Sequence, residues 1–277
     1  MQIEISNPQL TNRIDATFAT LRAAGRLGLF PYLTAGFPAL DASERLALAA
    51  LEAGADGLEL GIPFSDPLAD GSTQQHASEV ALRNGASLTW TLDLVRRIRQ
   101  RVDAPLVLMT YYNPVHHFGL EAFADAAVAA GIDGVIVPDL PSGEAAPLTR
   151  ALDGRGLHVI QMVAPTTTAD RLEEVGRTAR GFVYCVSLLG TTGARTTLSD
   201  RLPPFMEHVR SHVAQPLLVG FGISRPEHIV SIRAYADAVV VASAIADLLE
   251  ATPAPDWENA VRHYVAELRS ACNGSTV

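Results

Sequence analysis

The sequence predicts an α/β fold, a closed (β/α)8 TIM barrel made as a single domain. Three observations predict it: eight short apolar runs rich in Val, Ile and Leu, longer stretches of helical periodicity between them, and a length of 277 residues, close to the roughly 250 that one such barrel uses. Strands buried on both faces of a parallel sheet read as continuous apolar runs rather than alternating ones. An open doubly wound sheet is the alternative, and the count of eight strands favours closure.

In chain order the runs are LGLFPYL (27–33), DGLELGI (56–62), PLVLMT (105–110), DGVIVP (133–138), LHVIQM (157–162), GFVYCV (181–186), PLLVGFG (216–222) and DAVVVA (237–242). Helical periodicity follows several of them, as at Ala42–Ala53, Leu120–Ala130 and Arg225–Arg233. No linker, low-complexity segment or long charge run divides the chain, so residues 1–277 are expected to be one domain. A short helical segment precedes the first strand, and the last residues, Asn273 to Val277, read as a frayed tail.

Composition narrows the function. The net charge is −9 and the 21 basic residues, all Arg, are spread thinly, whereas a nucleic-acid surface needs clustered cations. A small phosphate stays possible, because backbone N–H groups can hold one without side-chain charge. The absence of lysine removes Schiff-base chemistry. Two cysteines, Cys185 in an apolar run and Cys272 near the end, suit a reducing compartment and make no disulfide framework. No apolar run approaches the roughly 20 residues that span a bilayer, and the first residues carry no signal-peptide pattern; a cytoplasmic protein without membrane association is expected.

A weak internal repeat singles out one residue. GADGLEL (54–60), GIDGVIV (131–137) and YADAVVV (235–241) each join a helix end to a strand. Where two copies carry Ile136 and Val240, the first carries Glu59, an ionisable group in an apolar slot. Burying a carboxylate is unfavourable unless it is paired, hydrogen-bonded or protonated, and desolvation lifts its pKa toward neutrality. Glu59 lies near the carboxyl end of its strand, where barrel active sites form, so it is a candidate general acid/base; a structural Glu bonded inside the barrel is the alternative. The following loop, GIPFSDPLADG (61–71), holds Asp66 and Asp70, both also plain turn formers. Asp70 gains a chemical reading from Glu59, since two carboxylates in different environments can divide proton donation from acceptance.

A second constellation is built on glycine. LLGTTGAR (188–195), GFGIS (220–224) and ASAI (242–245) follow the last three strands, where barrels commonly bind phosphate with backbone N–H groups and a short helix N-terminus. Gly193, Gly222, Ala242 and Ser243 are the candidate phosphate contacts. Tyr32, Tyr111 and Tyr184 lie near strand ends and could meet a flat ring, although core packing accounts for each as well. Met109, Phe123 and Trp90 read as packing residues. His208 and His212, four apart, lack a third ligand at suitable spacing and read as a solvated helix face, so no metal is expected.

PYLTAGFP (31–38), LELGIPFSDPLADG (58–71), MTYYNP (109–114), GVIVPDLP (134–141), VAPTT (163–167), TTGAR (191–195) and GFGIS (220–224) together resemble the α chain of tryptophan synthase over most of the chain. The resemblance implies retro-aldol cleavage of indole-3-glycerol phosphate to indole and glyceraldehyde 3-phosphate, with no metal or organic cofactor. It implies that Glu59 handles protons at the indole C3 and the glycerol hydroxyl, that Asp70 assists at the indole N–H, and that Tyr111 and Thr192 lie near the substrate, Thr192 positioning Asp70. It also implies a β-chain partner in an α2β2 assembly. Departures stand at GSTQQ after Asp70, where the family usually has a proline and then an apolar residue two positions on, at Gly143, where a second acid is common, and at Ala242, where glycine is usual. The first two lie near the family's β-facing surface, so a stand-alone lyase of a specialised pathway and a catalytically idle allosteric barrel are the alternatives.

Overall fold

The computed structural model describes residues 12–186, 201–220 and 222–273. Its eight strands are β1 (Gly28–Thr34), β2 (Leu58–Gly61), β3 (Leu106–Met109), β4 (Gly134–Ile136), β5 (His158–Val163), β6 (Val183–Val186), β7 (Leu217–Gly220) and β8 (Ala238–Val241). All neighbours are parallel, and β1 pairs with both β2 and β8, which closes the sheet into a barrel. Each apolar run of the sequence therefore supplies one strand, and the closed form prevails over the open sheet.

Twelve α-helices are present among the described residues: α1 (Arg13–Ala23), α2 (Leu40–Glu52), α3 (Ser72–Arg83), α4 (Leu88–Arg99), α5 (Tyr112–Phe118), α6 (Leu120–Ala130), α7 (Ala146–Asp153), α8 (Ala169–Thr178), α9 (Leu202–Arg210), α10 (Pro226–Ile232), α11 (Ser243–Ala251) and α12 (Trp257–Cys272). The expected helix at 225–233 is one residue shorter at each end, with Pro226 at the first helical position, where its missing N–H costs nothing. No helix among the described residues is long and apolar enough to cross a membrane.

Strand alternation divides the core in two. Leu58, Leu60, Leu106 and Leu108 face outward into the layer beneath the helices, while Phe30, Tyr32, Val107, Met109, Ile136, Tyr184 and Val240 fill the barrel interior. The amino-terminal end is plugged by α1, whose Ile14, Phe18 and Leu21 join the interior cluster; Phe18 stacks on Phe30 at 5.8 Å between ring centres. Gly28 and Gly134 make room for it, since a Cβ on either would stand 2.8 Å from Leu21 or Ile14.

The internal repeat has a structural purpose at this end. Asp56, Asp133 and Asp237 each donate a backbone N–H to the carbonyl of a leucine on the neighbouring strand, Leu29, Leu106 and Leu217. Each carboxylate then accepts the N–H of that same leucine, at 2.8 to 3.0 Å. Arginines neutralise the three acids: Arg269 and Arg26 on Asp56, Arg99 and Arg13 on Asp133, Arg210 on Asp237. Charge-assisted hydrogen bonds of this kind contribute about 1.5 to 3 kcal/mol each, so the amino-terminal rim is clamped for stability and the opposite rim is left to carry chemistry.

Candidate active site

Glu59 points into the barrel because Leu58 and Leu60 point out, and β2 registers it between Tyr32 of β1 and Val107 of β3. Its side chain is 2% exposed, and its Oε1 has no hydrogen-bond partner. Burial first and the nearby Asp70 second push its pKa from 4.5 to about 8. An ionised Glu59 would lack both water and a cation, so the acid form is favoured at neutral pH.

Asp70 reaches the same cavity from the loop between β2 and α3. Burial raises it from 3.8 to about 6, opposed by a hydrogen bond from the Tyr111 hydroxyl. Tyr111 also accepts the Ala69 N–H at 3.0 Å and stacks on Phe64 with 5.3 Å between centres. The structure thus puts the Tyr111 hydroxyl to work holding the Asp70 loop. Asp66 is exposed and makes its contacts locally, to Ser65 and through its carbonyl to Leu68, as a turn former does.

Tyr32 and Tyr184 line the cavity together with Glu59 and Asp70. Burial lifts both phenols well above 10, with the two carboxylates adding to it, so both stay protonated donors. Their hydroxyls lie over glycines of the next strands. A Cβ on Gly61 would sit 1.8 Å from the Tyr32 hydroxyl and one on Gly220 2.1 Å from that of Tyr184; both positions are closed to any larger residue while the tyrosines keep their places.

The cavity, about 210 Å³, ends on Gly222, Ala242 and Ser243. Gly222 takes φ of +79°, a conformation glycine adopts without strain. Ala242 is the residue before α11, and Ser243 begins it, so a helix N-terminus opens on the cavity with the partial positive charge that favours an anion. The remaining candidates, Thr192 and Gly193, lie outside the described residues.

Met109 and Gln74 are among the wall residues that escape sequence reasoning. Met109 reads as a packing residue, yet it lines the cavity; strand alternation, which turns Val107 and Met109 inward together, is the signal that could have found it. Gln74, on the first turn of α3, is buried and lines the cavity as well. His208 stands exposed on α9 and His212 lies just beyond its end; among the described residues no cluster of three or more His, Cys, Asp or Glu is placed to hold a metal.

A barrel with two carboxylates at its carboxyl rim, one buried and the other half-buried, and an anion-favouring helix end across the same cavity, presents the groups that acid–base catalysis on an anionic substrate uses. Comparison with known proteins narrows the class. The family model for the tryptophan synthase alpha chain matches residues 18–273. The tryptophan synthase alpha chain of Roseiflexus sp. (strain RS-1) is 48% identical over 259 residues, covering 93% of this chain and 99% of its own. That of Geobacter sulfurreducens is 46% identical over 260 residues, covering 94% and 98%. The crystal structure of tryptophan synthase subunit alpha from Legionella pneumophila str. Paris superposes with a TM-score of 0.88 at 37% identity, covering 95% of this chain and 98% of that one. A structure of Mycobacterium tuberculosis tryptophan synthase gives a TM-score of 0.87 at 36% identity, covering 95% and 99%. The chain belongs to the tryptophan synthase alpha chain family, the carbon–carbon lyases of tryptophan biosynthesis that cleave indole-3-glycerol phosphate.

Proposed function

We propose that Glu59 and Asp70 are the two proton-transfer groups of this cleavage. The observation that carries the reading is the buried Glu59 carboxyl, with one oxygen unpartnered, facing Asp70 across a cavity that ends on a helix N-terminus. Protonated Glu59 donates to the indole C3, which turns the ring into an electron sink. Asp70, the stronger acid of the two, is ionised first and accepts from the indole N–H, offsetting the positive charge that develops on the ring. The Glu59 carboxylate then takes the proton of the hydroxyl on the carbon attached to C3. The C–C bond breaks, its electron pair returns to the ring, and an aldehyde and indole leave with Glu59 protonated again.

Gly222, Ala242 and Ser243, with Gly193 of the preceding loop, are proposed to hold the phosphate and so fix the glycerol chain against the carboxylates. Tyr32 and Tyr184 are proposed to flank the indole. A tryptophan synthase β chain is the proposed partner, in an α2β2 assembly. A cytoplasmic location and the absence of nucleic-acid partners complete the reading.

The test is indole release from indole-3-glycerol phosphate by the purified chain, alone and with a β chain. Slow release accelerated by the β chain identifies a pathway subunit. Fast unaided release identifies a stand-alone lyase. Glu59→Gln abolishes release in either case; substantial activity in that variant, or none in the folded parent under both conditions, overturns the assignment.

A further inference from the structure

Gln74 is 8% exposed, and its two polar atoms are treated unequally. The Thr34 hydroxyl donates to its Oε1 at 2.9 Å, whereas its Nε2 is buried with no partner. Thr34 has one hydroxyl proton and gives it to the Gln74 carboxamide oxygen. That bond occupies the oxygen end of the carboxamide and leaves the N–H donors of Gln74 over. A buried amide donor left unmade costs about 1 to 3 kcal/mol, and Gln74 lines the active-site cavity.

The position along the cavity is set by topology. Thr34 closes β1, which pairs on one side with β2, the strand of Glu59, and on the other with β8, which leads directly into Ala242 and Ser243. Helix α3 packs against both β1 and α11. Gln74 thus lies on the wall between the carboxylates and the helix end. With the ring at the carboxylates and the phosphate at the helix, the stretch of substrate beside that wall is the glycerol chain, whose hydroxyl oxygens accept hydrogen bonds. The same residue belongs to the GSTQQ stretch, at the position where the family resemblance leads one to expect an apolar side chain.

We infer that Gln74 is a specificity-determining residue whose Nε2 donates a hydrogen bond to a glycerol hydroxyl oxygen of the substrate. The inference rests on the proposed reading of the cavity. Hydroxyl recognition of this kind discriminates strongly because the site's own buried donor is otherwise unsatisfied.

The experiment compares the parent with Gln74→Met, which keeps length and volume, and with Gln74→Leu in case one variant fails to fold, thermal melting serving as the check. Two quantities are measured: kcat/KM for indole-3-glycerol phosphate, and Kd for an indolyl-alkyl phosphate of the same chain length without hydroxyls. The expected result is a loss of about tenfold in kcat/KM, the size of one buried hydrogen bond, with Kd for the hydroxyl-free compound within about twofold of the parent. An unchanged kcat/KM, or equal losses for both compounds, overturns the inference by making Gln74 a packing residue. Failure of the parent itself to release indole strikes the underlying reading instead, so the two failures are distinguishable.

Discussion

Glu59→Gln tests the electrostatics of the site without any substrate. Glu59 binds its proton with a pKa of about 8 in the folded chain against 4.5 for an ordinary glutamate. Between those values the folded protein holds a proton that the unfolded chain has released, so stability falls as pH rises through that window and levels off above it. At roughly 1.4 kcal/mol per unit the carboxyl costs the fold about 3 kcal/mol at pH 7 and about 5 kcal/mol at pH 9, both upper values because water entering the cavity would relieve the ion. Glutamine has nearly the same shape and no charge to bury. The measurement is urea unfolding of parent and variant at pH 5, 7 and 9, followed by circular dichroism and taken as a difference, so that every other titrating group cancels. The stability of the variant relative to the parent should grow by up to about 4 kcal/mol from pH 5 to pH 9. A difference independent of pH would mean that Glu59 ionises freely in the fold, and the acid role assigned to it would fail.

Three further outcomes follow from the same geometry. Below about pH 6 Asp70 is protonated and above about pH 8 Glu59 is ionised, so kcat/KM should be bell-shaped with limbs near those values; Tyr111→Phe removes the hydrogen bond that holds Asp70 down and should move the acidic limb upward while lowering the rate about tenfold. Gly61→Ala would place a methyl 1.8 Å from the Tyr32 hydroxyl, and overpacking of this kind costs about 1 to 3 kcal/mol; a lower melting temperature together with loss of indole release checks it, and an unaltered protein would show that Tyr32 moves freely.

The parts of this molecule that are legible in its sequence are those where one physical rule acts on a short stretch of chain. Parallel strands covered on both faces must be apolar throughout, so eight runs stand out, and Glu59 stands out because it breaks one of them. The three aspartates of the repeat are equally visible as letters. Their purpose is not, because a carboxylate that clamps the backbone of a leucine 20 to 27 residues earlier exists only once the register of neighbouring strands is set. Tyr111 illustrates the same limit: its place at a strand end suggests a ring contact, and only the path of the Asp70 loop shows that its hydroxyl is committed to that loop.

Gln74 marks the far end of this gradient. In sequence it is one polar residue in a polar turn-to-helix stretch, where solvent exposure is the ordinary outcome. What gives it meaning is a hydroxyl 40 residues away that satisfies its oxygen and not its nitrogen. A rule that asks where every buried donor goes finds such a residue; a rule that reads periodicity or motif passes over it. The proposed proton transfers rest on Glu59 and Asp70, and Glu59 announces itself by being charged among apolar neighbours. The inferred selectivity of this cavity rests instead on a neutral polar side chain, whose message is an unmet hydrogen bond visible only in three dimensions.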